Sequence, residues 1–119
     1  VNGLLTLLSL IGLKPNMARI IAILLLSNKA LSLSEVCNAT GYAKSRVSEI
    51  MRILEAKGLV EVSIVKKKAY YKVRVEALRK HIEEHLERLA RSLEEAHRES
   101  GVRDFMEIAE AVRRLQVKR

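Results

Sequence analysis

Ser45, Glu49 and Arg52 stand four and three residues apart, in a segment whose apolar residues recur at helical spacing. On a helix that spacing places all three on one stripe, almost opposite Val47, Ile50, Met51 and Leu54. The stripe carries a hydroxyl, a carboxylate and a guanidinium. Arginine can fork onto the edge of guanine, a carboxylate can accept from cytosine N4, and serine can serve bases or phosphates. Lys44 and Arg46 at the helix start suit phosphates, and Ser48 flanks the stripe. The chemistry these residues offer is hydrogen-bond readout of a duplex, with no bond made or broken.

A second pattern points elsewhere. "HIEEH", His81 to His85, fits H-x-x-E-H and places two imidazoles one helical turn apart. A metalloprotease needs a third ligand and a cleft, and neither follows. A metal-sensing site shared between subunits ranks below exposed or interfacial histidines, so no metal is assigned. No Gly-rich phosphate loop is present, and Asp104 is the only aspartate. No enzyme and no cofactor are therefore expected.

The readout stripe needs elements to hold it. Pro15 opens a helix to about Ser27, and "NKAL" reads as a turn. "SLSE", Ser32 to Glu35, has capping-box spacing and opens a short helix to about Ala39. Gly41 supplies a tight turn. A second helix then runs from about Lys44 to Lys57 and stops at Gly58. Two helices joined by a short Gly-containing turn form a helix-turn-helix. "LVEVSIV" and "AYYKVRV" around Lys66, Lys67 and Lys68 read as a hairpin, with Val60, Val62 and Ile64 alternating against Glu61 and Ser63. One of Tyr70 and Tyr71 is expected to pack inward and the other outward. The hairpin turn lacks Gly, Asn and Asp, which leaves its geometry open.

From Glu76 to about His97 a long helix carries a seam of Leu78, Ile82, Leu86, Leu89 and Leu93. Gly101 interrupts it. Phe105, Ile108, Ala109, Val112 and Leu115 mark a last amphipathic helix. The seam is assigned to dimerisation, with intramolecular packing as the competing use. The first stretch, "VNGLLTLLSLIGL", is read as a short buried helix at a domain or dimer interface. It has neither the basic start nor the cleavage site of a signal peptide, and Lys14 and Pro15 cut short any membrane span. Three regions follow: an N-terminal apolar helix over 1–13, a winged helix-turn-helix over 14–75, and a helical dimerisation region over 76–119. The fold class is mainly α with a small β-hairpin.

The chain has 119 residues, 49% of them hydrophobic, and a net charge of +8. It can bury a core without disulfides, and its basic balance favours polyanionic partners. The charge is concentrated. Residues 41–74 hold nine cations and three acids, whereas residues 75–119 hold ten of each. One cysteine, Cys37, excludes an internal disulfide and fits a cytoplasmic location. The abundance of charged residues leans toward a thermophilic source. Four aromatics make no base-stacking platform, which disfavours single-strand binding.

"LSLSEVCNATGYAKSRVSEIMRILEAKGLVEV" resembles the winged-helix regulators of the MarR, ArsR and TrmB group. "LEAKGLV", Leu54 to Val60, matches the group's passage from recognition helix into wing, and "YYKV" resembles the GbsR-like branch. The resemblance covers about residues 13–75. It implies a homodimeric transcription regulator that reads double-stranded DNA with the Lys44–Lys57 helix and touches phosphates with the wing. A small-molecule effector is an open partner, and no membrane is expected. There are two departures. Ala43 stands where many relatives have a serine N-cap, with Thr40 or Ser45 as substitutes. The wing has only Lys66 to Lys68 at its tip, which favours phosphate contact over a minor-groove arginine. Two other functions use the same face: a non-specific architectural chromatin protein, and a protein-interaction module.

Overall fold

A computed structural model describes residues 2–117. Residues 1, 118 and 119, which the expected regions 1–13 and 76–119 include, lie outside the described residues. The element order is α1 (Asn2–Leu10), α2 (Pro15–Ser27), β1 (Leu31–Ser32), α3 (Leu33–Thr40), α4 (Lys44–Ala56), β2 (Val60–Val65), β3 (Lys68–Val73), α5 (Val75–Ser100) and α6 (Arg103–Val117). This is a winged helix-turn-helix followed by two further helices. The chain divides into two compact units, one up to Leu78 and one from Arg79.

In the first unit, α2 packs against α1, α3, α4 and β3, and α3 packs on α4. Ile20, Ile21, Val36, Val47, Met51, Leu54 and Val60 are all but completely buried. The apolar positions of α4 thus line the core, which turns its polar stripe outward. α3 begins at a capping box. Ser32 N–H donates to Glu35 Oε1 at 2.8 Å, and Glu35 N–H donates to Ser32 Oγ at 3.2 Å. The Ser32 N–H first, and then its hydroxyl, hold the Glu35 carboxyl below its ordinary range, with Lys29 and Lys68 adding to the effect.

Three features go beyond the sequence reading. First, the hairpin is part of a three-stranded antiparallel sheet of order β1-β3-β2. Leu31 and Ser32, read as turn and cap, also pair with Tyr71 and Tyr70. Second, the wing outruns the core. Val60 is buried, but Ile64 is 67% exposed because nothing in the first unit lies beneath the strand's far end. Tyr70 and Tyr71 are consecutive in β3 and so take opposite faces of the sheet, and both are half-buried. Third, the single chain covers α1 on one side only. Leu8 alone is buried in it, while Leu7 and Leu10 are exposed, because only one side of the helix meets α2.

In the second unit α6 folds back along α5 after Gly101. Ala90 and Ala109 are fully buried. Arg113 donates to Glu94 through Nε and Nη2, each at 2.9 Å, and to Glu87 through Nη1 at 2.8 Å. Leu86 and Leu93 share the face of Ala90, at spacings of four and three residues, and are half-buried. Ile82 is also half-buried and Leu89 is 42% exposed, while Leu78 is buried in the first unit.

Candidate nucleic-acid interface

The interface is built on α4. Its N-cap, Ala43, makes no side-chain cap hydrogen bond, so the first backbone N–H groups lack the usual side-chain acceptor. Of the two expected substitutes, Thr40 serves the turn. Its Oγ1 donates to Val36 O at 2.8 Å and accepts from Tyr42 N–H at 3.1 Å. The first turn of α4 contains no acid and does contain Lys44 and Arg46. Cations at the positive end of a helix dipole disfavour the isolated helix and favour a bound anion.

Lys44, Ser45, Arg46, Glu49 and Arg52 are all exposed, and Ser48 is half-buried at the edge. The structure therefore brings the expected readout residues onto one solvent-facing strip. α4 ends where the glycine was expected to end it. Gly58, at φ 77°, donates to Glu55 O at 2.9 Å, and Leu59 N–H donates to Leu54 O at 3.0 Å. This Schellman closure feeds the chain directly into β2 and fixes the wing relative to the helix.

The wing tip is a two-residue turn. Val65 pairs with Lys68, and both intervening residues, Lys66 and Lys67, have positive φ, at 51° and 67°. Hairpin turns of this kind normally use Asn-Gly, and each lysine is held in a sparsely populated conformation. Lys68 is already in β3. The exposed lysines are thus two turn residues and one strand residue. Among the described residues every ion pair joins side chains of α5 or α6, so no salt bridge there neutralises the basic 41–74 segment.

The sequence reading missed two residues. Tyr42, in the turn before α4, carries the guanidinium of Arg46 at 4.9 Å from its ring centroid and that of Arg19, from α2, at 5.8 Å. The Tyr42–Arg46 spacing of four residues was a visible signal. Arg19 comes from a distant part of the sequence and gave none. At the other pattern, His85 Nδ1 lies 3.5 Å from Arg88 Nη2. No group of three His, Cys, Asp or Glu among the described residues could hold a metal ion. No described helix is long and apolar enough to cross a membrane.

Comparison with known proteins adds the following. Residues 8–76 match the family model described as "Sugar-specific transcriptional regulator TrmB". No curated protein matches the sequence. Among solved structures, the chain is similar to the transcriptional regulator BldR from Sulfolobus solfataricus. Identity is 20%, 99% of this chain and 86% of that chain are covered, and the TM-score is 0.48.

Proposed function

Because the chain belongs to the TrmB family of transcriptional regulators, we propose that it is a cytoplasmic, sequence-specific double-stranded DNA-binding regulator that works as a homodimer. The observation that carries this reading is the exposed strip of Ser45, Glu49 and Arg52 on α4, beside cations in no salt bridge among the described residues. In this proposal α4 enters the major groove, about 12 Å wide. Arg52 reads guanine and Glu49 reads cytosine N4. Lys44 and Arg46 hold phosphates, and Lys66, Lys67 and Lys68 clamp the backbone from the wing. Residues 14–75 form the DNA-reading region and residues 76–119 the dimerisation region. A second copy covers Leu89, together with Ile108 and Leu115 of α6, all at least 42% exposed. Two subunits then meet half-sites about one helical turn apart.

Glu49 separates this from an architectural role. An acid at the middle of the strip opposes phosphate and is useful for base readout. The test is binding of the purified protein to random and genomic duplex fragments at two salt concentrations, with mass in solution recorded. Enrichment of particular fragments that survives higher salt, by a dimer, is the expected result. Salt-sensitive binding without enrichment would replace it with the architectural reading. No duplex binding at low salt would leave an interaction module.

A further inference from the structure

The first unit contains a cleft of about 630 Å³ between α1, α2 and the turn before α4. That is within the range of small-molecule sites. Its walls are mainly apolar, with Leu5, Ala22, Ile23 and Leu26 among them, and Arg19 is the one cation among the described residues that line it. Among the described residues lining it, none is acidic. Tyr42 also lines it, and its ring carries both Arg19 and Arg46.

This lining selects a ligand class. A polyol needs several convergent donors and acceptors, and the polar groups here are few. An apolar body with a single negative charge satisfies both the walls and the guanidinium. Arg19 is free to turn toward it, because at 5.8 Å it lies near the outer limit of attraction to the ring. A carboxylate is the stronger partner for arginine. The two guanidiniums now share one ring and repel each other. Drawing Arg19 away leaves the ring to Arg46, which is then held back from phosphate.

We propose that this cleft binds a small apolar carboxylate through Arg19, and that occupancy is transmitted to the start of α4 through the Tyr42 ring. The binding stands on the cleft alone. Its effect on DNA rests on the function proposed above.

The test uses octanoate as probe, with 1-octanol and glucose as controls, and follows amide and arginine Nε–H signals by NMR without DNA. Saturable octanoate binding is expected, with shifts at Ala22, Tyr42 and the Arg46 Nε–H sharing one midpoint. Arg19→Gln should weaken it by about tenfold or more, the scale of one lost charge-assisted hydrogen bond. Octanol should bind more weakly than octanoate by a similar factor. Ala39 lies at the exposed mouth, so Ala39→Trp should block entry without disturbing the core. Binding indifferent to both variants overturns the site, as does preference for glucose. Cleft signals that move on dilution and ignore octanoate show a second copy seated there and also overturn it. Octanoate binding with an unmoved Arg46 signal overturns the transmission. A parallel duplex-binding measurement should show weaker binding with octanoate, and unchanged affinity for DNA that does bind would overturn the regulatory effect.

Discussion

Arg113 and Glu94 meet in a fork: two parallel N–H groups of one guanidinium donate to the two oxygens of one carboxylate, each at 2.9 Å. The third nitrogen reaches Glu87. Bidentate geometry adds direction as well as strength, so one side chain of α6 sets its register on α5. Hydrogen bonding from Arg113 holds the Glu94 and Glu87 carboxyls below their ordinary range and raises the guanidinium.

The sign of the pH dependence follows. Both carboxylates have folded values lowered relative to the unfolded chain. Their contribution is complete above the ordinary carboxylate value, about 4, and is lost as pH falls through the depressed folded values. Acid titration should therefore loosen α6 first. Arg113→Met should loosen it at neutral pH and remove the acid step. Carbon chemical shifts of residues 103–117 would follow both. An α6 as ordered in the variant as in the parent would show that Ala90, Ala109 and Val112 hold it unaided.

Ser32 serves two elements at once, pairing with Tyr70 in the sheet and capping α3. Ser32→Ala should cost about 1 kcal/mol, a fall of about 4 °C in melting temperature. The Glu35 carboxyl should rise only in part, because the backbone N–H of residue 32, the first cause of its lowering, is retained. Calorimetry reads the first effect and a carboxyl titration the second, and a melting temperature left unchanged would count against the hydroxyl cap.

The wing turn makes opposite demands on folding and binding. Replacing Lys66–Lys67 with Asn–Gly removes two non-glycine residues from left-handed backbone and should stabilise the chain by about 1–3 kcal/mol. The same change removes two proposed phosphate contacts. The slope of log affinity against log salt should become shallower by about 2. An unchanged slope would exclude the tip as a phosphate clamp.

Arg52→Ala addresses base readout. It should cost about 1–3 kcal/mol at an enriched duplex and relax preference at one position. The exposed strip places Arg52 away from the core, so melting temperature should be unmoved. Full selectivity in the variant would remove Arg52 from the reading set.

Leu89→Glu addresses assembly. Leu89 is 42% exposed in the single chain, so a charge there leaves the subunit intact and opposes burial by a second copy. Light scattering should give the monomer mass at concentrations where the parent is dimeric. A variant of dimer mass would move the contact to another face.

What the sequence revealed depended on how local the cause was. Ser32 to Glu35, Gly41 and Gly58 act within a few residues, and the α3 start, the turn and the α4 stop all stand where they were read. The outward strip was legible because the apolar spacing of α4 fixes its opposite face. β1 was hidden because two residues become a strand only when β3 offers them an edge. The left-handed Lys66 and Lys67 were hidden because the register of two strands, rather than residue preference, imposes their backbone. The cover over Ile64 and over α1 depends on what lies beneath them in space. Arg19 reaches Tyr42 across 23 positions of sequence, beyond any periodic pattern.

The stacked ring of Tyr42 also gives the molecule an optical signal of its own. The chain has three tyrosines and no tryptophan, so tyrosine emission is not drained by energy transfer to indole. Tyr70 and Tyr71 are consecutive in β3, and among the described tyrosines it is Tyr42 whose ring meets the guanidinium groups of Arg19 in α2 and Arg46 in α4. Intrinsic fluorescence can therefore follow the start of α4 in the unlabelled protein, with Tyr42→Phe as the blank.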